Sequence, residues 1–302
     1  MTTLNVRIHA LEHNIEIIKK LASDSLIIAV LKGNAYGLGL SKFATFLQAR
    51  GIKNFAVTEL SDAVELRKKG IWGEILLLTP LYNSEDITNA IKYDITLSIT
   101  SVECGMMLEE TASYINHFCA HAHLCIDTGF GRYGFLCEKT SQISTIINTV
   151  HAMTHVQVTG IYSHFYAACC KNERFVKKQF EDFNNLCTTL TDAGIPLGIR
   201  HISSSSSLVR FPYMNLDAVR VGSAFLGRLA VSNPYGFENV CDLTARVDDV
   251  YQLPAGHNIG YGKSCRLSKA STTAVVSAGY FHGLGMTREV TAKRPSPLQL
   301  LH

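Results

Sequence analysis

The sequence of 302 residues predicts an α/β fold: a (β/α)8 TIM-like barrel followed by a partial all-β second domain. Three observations predict it. Short apolar, β-branched segments alternate with longer segments of helical period, which is the pattern of parallel strands joined by crossover helices. Eight such strand segments precede residue 230, the number that closes a barrel. After Leu229 short alternating segments replace the helical period, which indicates a domain built from strands.

The elements of the predicted barrel follow one another along the chain. The strands are the eight apolar segments at 26–31, 55–57, 75–78, 95–99, 120–126, 156–162, 197–202 and 218–221. The clearest helices are the segments of helical period at 10–21, 41–50, 59–69, 84–91, 102–115, 141–150 and 174–193. An open, doubly wound sheet is the alternative topology. No Gly-x-Gly-x-x-Gly follows the first strand, so the dinucleotide-binding form of that fold is disfavoured.

The second domain is predicted from weaker signals. Residues 242–250 alternate in polarity, residues 253–256 contain a Pro and a Gly typical of a turn, and residues 259–261 and 272–276 are strand-like. The basic, proline-bearing tail at 286–302 has little periodicity and is predicted to be a loop. We therefore expect a barrel domain at 1–229 and an incomplete β-rich domain at 230–302.

Composition limits the classes of partner and the compartment. The formal net charge of +3, from 28 basic against 25 acidic residues, gives no electrostatic reason to expect a nucleic acid or an anionic membrane as partner. No apolar run is long enough to span a bilayer, and no secretory signal is evident at the start. The nine cysteines include no Cys-x-x-Cys pair, which is typical of reduced thiols, so a cytoplasmic location is expected.

Lys32 is the first candidate for a reactive residue of an active site. It directly follows the first barrel strand, in the segment Leu-Lys-Gly-Asn-Ala-Tyr-Gly. Active sites of barrels lie at the C-terminal ends of the strands, and a lysine there can form a Schiff base with a carbonyl group. The alternative is a lysine that merely extends from a strand end into solvent.

Polar residues follow four other barrel strands. Arg132 lies in a Gly-Phe-Gly-Arg turn after the fifth strand, and His164, which could stack on a planar cofactor or act as an acid–base group, follows the sixth. His201 and the serines at 203–207 end the seventh strand, and the loops after strands seven and eight of a barrel often bind a phosphate. Arg220 lies at the end of the eighth. Each residue also has an ordinary structural interpretation, so their convergence at one end of the barrel is what indicates a site.

Seven segments of the chain resemble fold-type III pyridoxal-phosphate enzymes, and specifically alanine racemases. In chain order they are AVLKGNAYGLG (29–39), HLCIDTGFGRYGF (123–135), GIYSHFYAA (160–168), HISSSSSLVRFP (201–212), LDAVRVGSAFLG (216–227), LPAGHNIGYG (253–262) and VVSAGYFHG (275–283). The resemblance spans nearly the whole chain, and it implies pyridoxal 5′-phosphate as the cofactor.

The resemblance also implies roles for the reactive residues. Lys32 is implied to bind the cofactor as a Schiff base and to serve as one catalytic base. Tyr261 is implied to be the opposite base, contributed by the partner subunit of a homodimer. Arg220 is implied to face the pyridine nitrogen of the cofactor. Arg132 is implied to approach the phenolic oxygen of the cofactor and the carboxylate of the substrate, and His164 to lie against the ring.

The remaining implied contacts hold the phosphate and admit the substrate. Tyr280 resembles a tyrosine at the substrate entrance of the family. The residues implied to hold the phosphate are Tyr36, Ser205, Gly222 and Ser223.

The chain departs from the family pattern at several positions. Cys125 stands where many relatives carry a lysine that becomes carbamylated and steadies the arginine, so Arg132 needs another positioning contact. Ser204 replaces a usual Asn, and His282 a usual Asp. Relatives continue beyond Gly283 with a further phosphate-contacting tyrosine and a substrate contact, so the chain is expected to carry the second domain only in part.

Three functions fit these observations to different degrees. The first is racemisation of a small amino acid, alanine first and serine second, because inverting a stereocentre needs proton donors on both faces and Lys32 and Tyr261 supply one each. The second is a pyridoxal-phosphate decarboxylase, which fits the motifs less well. The third is a non-catalytic, cofactor-binding barrel, which the segment 242–283 argues against.

No metal site is expected. His117, Cys119, His121 and His123 alternate along one predicted strand, so their side chains share a face. Crowding on a strand makes it implausible that four such side chains bind one ion.

Overall fold

The computed structural model describes residues 2–115 and 119–284, which divide into two compact units. Among these residues, the larger unit spans 7–240, and the smaller combines 2–6 with 241–284. This division differs from the expected boundary between residues 229 and 230. The reason is a long-range pairing: β1 (Thr2–Val6) is antiparallel to β11 (Cys241–Ala245), which places the N-terminal strand in the smaller unit.

The larger unit contains nine strands among its described residues, and eight of them lie within a few residues of the predicted barrel strands. They are β2 (Leu26–Val30), β3 (Asn54–Val57), β4 (Ile75–Leu77), β5 (Leu97–Ile99), β6 (Ala120–Asp127), the two-residue β7 (Phe135–Leu136), β8 (Val156–Tyr162), β9 (Ile199–His201) and β10 (Ala218–Val221). Of these, β7 is an addition that the sequence did not predict. It pairs in parallel with the end of β6.

Two parallel sheets form the barrel wall, with strand orders β10-β2-β3-β4 and β5-β6-β8-β9. Backbone hydrogen bonds join their edges. Leu77 N donates to Thr96 O at 2.8 Å between β4 and β5. Arg220 N donates to Ser203 O at 3.0 Å, and Asp217 N to Arg200 O at 3.1 Å, between β9 and β10. These contacts close the eight parallel strands into a ring, so the predicted barrel is confirmed.

Helices connect successive strands. They are α1 (Ile8–Ala22), the short α2 (Lys32–Tyr36), α3 (Leu40–Gln48), α4 (Leu60–Lys68), α5 (Ser84–Lys92), α6 (Val102–Ser113), α7 (Thr140–Ala152), α8 (Arg174–Asp192) and α9 (Ser205–Arg210). The sequence fixes several of their ends locally. The side chains of Asn83 and Ser101 accept backbone N–H bonds from Asp86 and Cys104 and cap α5 and α6.

The barrel interior is apolar around one cluster and polar beside it. Buried side chains from both sheets, including Ile28, Leu76 and Tyr162, form the apolar cluster. Fully buried polar groups lie in the same interior, among them His123 and His201. Because parallel strands covered by helices are buried on both faces, each polar group inside needs a hydrogen-bond partner, and such groups mark the site.

The smaller unit is built from pairs of strands. β12 (Val247–Leu253) is antiparallel to β15 (Ser271–Val276), and β13 (Asn258–Ile259) to β14 (Cys265–Arg266). The predicted strand at 272–276 is confirmed, whereas the prediction at 259–261 was too long because Tyr261 begins a 3-10 turn. None of the described residues of this unit is buried. The predicted tail at 286–302 lies outside the described residues.

Candidate active site

A cavity of about 410 Å³ opens at the C-terminal ends of the barrel strands, a size typical of small-ligand sites. It gathers the residues that the sequence predicted at the strand ends. Among its lining residues are Lys32, Tyr36, Arg132, His164, Ser205, Arg220, Gly222 and Ser223. These side chains come from distant parts of the chain, so their convergence supports one common site.

The backbone around Lys32 is unusual. Helix α2 is left-handed: Gly33, Asn34, Ala35 and Tyr36 have φ values between 53° and 61°. The left-handed conformation costs a non-glycine residue roughly 1–2 kcal/mol. The side chain of Asn34 stabilises the turn by accepting the backbone N–H of Leu40 at 2.8 Å. The turn lets both Lys32 and Tyr36 line the cavity, and strain of this kind is common at functional sites.

Hydroxyl and amide groups converge on one side of the cavity. Ser205 Oγ accepts the backbone N–H of Gly222 at 3.1 Å and of Ala224 at 3.3 Å. A Cβ added to Gly222 would lie 2.1 Å from the Tyr36 hydroxyl, so glycine is required for that close approach. Burial raises the pKa of Tyr36, which keeps its hydroxyl a proton donor. Neutral donors so arranged suit a phosphate group.

Arg220 is buried beneath the cavity and held by acceptors. Its Nη1 donates to His201 Nδ1 at 2.6 Å, and its Nη2 donates to Ser163 O at 2.5 Å and to His164 Nδ1 at 3.1 Å. Its guanidinium also lies 5.1 Å from the centre of the Tyr162 ring. Burial lowers the pKa of Arg220 to about 10, so it remains a cation at neutral pH.

His164 is neutral in this environment. Burial, followed by the charges of Arg220, Arg132 and Lys32, lowers the pKa of His164 to about 3. The edge of Phe130 packs on the ring, with centroids 5.1 Å apart. Of the two roles considered for His164, a neutral planar surface for a cofactor fits these contacts better than an acid–base group working near neutral pH.

Arg132 packs on an aromatic ring. Cys125 cannot supply the carbamylated lysine that the family resemblance implies at that position. The guanidinium carbon of Arg132 lies 4.5 Å from the centre of the Phe130 ring, a cation–π contact. Cys125 is buried, its Sγ donates to Tyr133 O at 3.5 Å, and burial raises the pKa of its thiol to about 11. The thiol is therefore neutral, and the Phe130 ring provides the contact observed at the Arg132 guanidinium.

Tyr261 and Tyr280 are not among the cavity residues. Both lie in the smaller unit, in the 3-10 turns Tyr261–Lys263 and Tyr280–His282. Tyr261 is fully exposed and Tyr280 is 80% exposed. Both therefore belong to a different compact unit from the eight predicted site residues that line the cavity.

The structure corrects one interpretation and adds residues that sequence reasoning missed. His201 was grouped with the phosphate-binding serines, but it is buried between Arg220 and His123. Tyr162 stacks on the His201 ring, with centroids 5.1 Å apart, and its hydroxyl donates to Ser98 Oγ. Phe130 could have been found from its place beside Arg132. Tyr162 gave no such signal, because an aromatic residue at a strand end is usually core.

The described residues contain no group of three or more His, Cys, Asp or Glu side chains that could hold a metal ion. Of the alternating residues weighed as ligands, His117 lies outside the described ranges. Among residues 2–115 and 119–284, no helix is long and apolar enough to cross a membrane.

Pyridoxal phosphate fits this donor set. The cavity offers a lysine for its aldehyde, neutral hydroxyl and amide donors for its phosphate, and a buried arginine, which can only donate, for its pyridine nitrogen. A barrel with these groups at the C-terminal ends of its strands defines the class of pyridoxal-phosphate barrel enzymes.

Comparisons with known proteins specify the family. Residues 6–229 match the family model "Alanine racemase, N-terminal domain" and residues 240–296 match "Alanine racemase, C-terminal domain". The chain belongs to the alanine racemase family, whose enzymes use pyridoxal 5′-phosphate. Membership places it among the amino-acid racemases, a class of isomerases, and confirms the predicted family and cofactor.

Individual relatives agree with this assignment. Alanine racemase 1 of Caldanaerobacter subterraneus subsp. tengcongensis is 33% identical over 289 residues, which cover 94% of this chain and 73% of the relative. The alanine racemase of Clostridium tetani is 33% identical over 279 residues, or 90% of this chain and 70% of the relative. The crystal structure of alanine racemase from Bacillus anthracis with bound L-Ala-P is 27% identical, with a TM-score of 0.83 over 93% of this chain and 73% of that one.

Proposed function

We propose that this chain racemises a small amino acid, alanine first and serine second, with Lys32 and Tyr261 as the two bases. One observation carries the proposal: the left-handed turn after β2 presents Lys32 to the same cavity as the buried Arg220 and the hydroxyl cradle around Ser205. The family assignment supports the reaction type, because the relatives that the chain matches are alanine racemases.

Each of the cavity residues would have a distinct role in binding the cofactor. When bound, pyridoxal phosphate delocalises the electron pair left after a Cα proton is removed. Lys32 would bind it covalently, and His164 would lie against its ring. Arg220 would donate to its pyridine nitrogen and keep that nitrogen unprotonated, which limits electron withdrawal and favours racemisation over transamination. The residues that would hold its phosphate are the neutral donors Tyr36, Ser205, Gly222 and Ser223.

Two groups must exchange a proton with Cα, one on each face. The amine of Lys32 would serve one face and the phenol of Tyr261 the other. Arg132, positioned by Phe130, would bind the substrate carboxylate through its fork of N–H donors. Tyr280 would lie at the substrate entrance.

The location of Tyr261 supports a homodimer in which each subunit supplies this tyrosine to its partner. Tyr261 is fully exposed in the single chain, and no described residue of its unit is buried. Large apolar side chains of the same unit, such as Val250 and Val276, are also exposed. Large apolar side chains left exposed together are typical of an interaction surface.

The two-base proposal is tested by incubating L-alanine or D-alanine with the enzyme in deuterium oxide. Wild type should produce both enantiomers with deuterium at Cα. Tyr261→Phe should lose racemisation but keep deuterium exchange with one enantiomer, because Lys32 still serves one face. Tyr251→Phe, an exposed tyrosine of the same unit, is the matched control and should behave as wild type. Racemisation by Tyr261→Phe at the wild-type rate would overturn the assignment of Tyr261.

A complementation experiment tests the shared site. Lys32→Ala and Tyr261→Phe are each expected to be inactive alone. Mixed dimers would contain one site with both wild-type residues, so co-refolding the two variants should restore part of the activity. No recovery, with mixed dimers shown to form, would mean that Tyr261 acts within its own subunit.

The alternative functions predict other outcomes in the same assays. Release of carbon dioxide without formation of D-alanine would favour the decarboxylase. Binding of the cofactor without deuterium exchange would favour the non-catalytic barrel.

A further inference from the structure

A line of polar side chains crosses the barrel interior from Arg220. Arg220 Nη1 lies 2.6 Å from His201 Nδ1. The other ring nitrogen of His201, Nε2, lies 3.1 Å from His123 Nδ1. His123 Nε2 then lies 2.9 Å from Oε1 of Glu74. Glu74 directly precedes β4, so the line runs from the cavity toward the N-terminal end of the barrel, and only its last member is partly exposed, at 25% of its side chain.

The protons along this line have a single consistent arrangement. A guanidinium group can only donate, so His201 Nδ1 must accept from Arg220. Burial, Arg220 and His123 lower the pKa of His201 well below its usual value, so the ring is neutral and its one proton is on Nε2. That proton is donated to His123 Nδ1, which accepts it, so the proton of the His123 ring is on Nε2, facing the carboxylate of Glu74.

Glu74 is the acceptor that this arrangement requires. His123 Nε2 is buried and has no well-aligned hydrogen bond in the described residues, because the 2.9 Å contact with Glu74 lies outside the usual hydrogen-bond angle. Burial by itself would raise the pKa of Glu74, but contacts with His123 and Thr96 and the charge of His121 together lower it. Glu74 is thus a carboxylate at neutral pH, and its Oε1 lies within 2.9 Å of the nitrogen that needs an acceptor.

The backbone is shaped to admit His123. A Cβ added to Gly160 on β8 would lie 2.5 Å from His123 Nε2, so a side chain at residue 160 would collide with the ring. The pairing of β6 with β8 also shifts register between Ala122 and His123. Both features make room for an imidazole inside the barrel.

We propose that Glu74 is a positioning residue that acts through His123 and His201 on Arg220. By accepting from His123, it fixes both rings as Nε2–H tautomers and so keeps His201 Nδ1 free to accept from the buried guanidinium. The inference rests on the proposed function only where Arg220 is taken to face the cofactor. Glu74 itself touches neither the cavity nor its ligands.

The tautomers can be measured directly by two-bond ¹H–¹⁵N correlation spectra of the full chain labelled with ¹⁵N-histidine. The signals are assigned by their loss in His123→Gln and His201→Gln. In wild type without amino acid, both rings should be single Nε2–H tautomers. A His201 ring that carries its proton on Nδ1, or that is cationic at pH 7, overturns the proposal without any variant of Glu74.

Substitution of Glu74 provides the second measurement. Glu74→Leu removes the acceptor, so both rings should lose their single tautomer. Glu74→Gln keeps an acceptor oxygen and should restore it. Glu109→Leu is the matched control, because Glu109 Oε1 contacts His155 Nδ1 at 2.7 Å outside the barrel interior. Unchanged tautomers in Glu74→Leu would refute the role of Glu74.

Kinetics distinguish this inference from the proposed function. Glu74→Leu should lower kcat about tenfold, as expected for a buried donor left unpaired, with KM for alanine unchanged because Glu74 does not touch the substrate. Glu74→Gln should recover most of that loss. If wild type shows the expected tautomers but no racemisation, the proposed function fails while the line from Glu74 to Arg220 stands.

Discussion

The two units of this chain differ in how their functional residues are held. In the barrel, Arg220 makes four hydrogen-bond contacts and sits among buried side chains. In the smaller unit, Tyr261 lies in a short turn, and none of the described residues of that unit is buried. Pairs of strands without a buried face are marginally stable alone. The barrel residues proposed to bind the cofactor are therefore held by contacts within their own unit, whereas the role proposed for Tyr261 requires a second surface that covers it.

Loss of Lys32 should have the largest effect of any single substitution. Lys32→Ala removes the one cavity amine that can form a covalent bond with the cofactor aldehyde, and racemisation should fall below detection. Borohydride reduction followed by peptide mass analysis should find the cofactor on Lys32 in wild type. Lys42→Ala, on the exposed side of α3, should retain the label and the activity. A labelled lysine other than Lys32 would refute the assignment.

Alanine substitution of one glycine in each unit compares how tightly the two units are packed. Gly222→Ala would place Cβ 2.1 Å from the Tyr36 hydroxyl and should lower the free energy of unfolding by about 1–3 kcal/mol. Gly279→Ala in the smaller unit meets no atom within 4 Å and should change it by less than about 0.5 kcal/mol. Urea denaturation of both variants measures the difference, and equal effects would show that the barrel site tolerates the added methyl group.

Buried histidines should make the stability of the barrel depend on pH. The pKa of His164 is about 3 in the folded chain and about 6.5 when unfolded, so the unfolded chain binds more protons between these values. Above pH 6.5 His164 is neutral in both states and does not lower the free energy of unfolding. As the pH falls toward 3, protonation of the unfolded chain lowers that free energy, by about 2 kcal/mol at pH 5. His164→Asn should lose less stability than wild type between pH 7 and pH 5 in urea titrations. An equal loss would contradict the burial of a neutral ring.

The smallest effect is expected at Phe130. Phe130→Leu keeps an apolar side chain but removes the ring beneath Arg132, a contact worth about 0.5–1 kcal/mol. KM for alanine should rise about three- to fivefold with a smaller change in kcat. Tyr133→Leu, which alters a neighbouring cavity residue outside that cation–π contact, provides the comparison in the same steady-state assay.

Much of the barrel and its site follows from local sequence. The alternation of apolar strands and amphipathic helices located the strands to within a few residues, because side-chain periodicity is a local property of each element. Lys32, Arg132 and Arg220 were found because parallel strands place their C-terminal ends together. The motifs around them further identified the family, which the comparisons confirmed.

Only the tertiary structure determined the rest. Periodicity does not reveal that β1 pairs with β11, since the partners are far apart in the chain. It does not show that Arg132 packs on Phe130, or that His201 reaches Glu74 through His123. These contacts arise where strands distant in sequence meet inside a closed barrel. Burial there determines which polar groups must form hydrogen bonds with each other and which ring nitrogen of each histidine carries the proton.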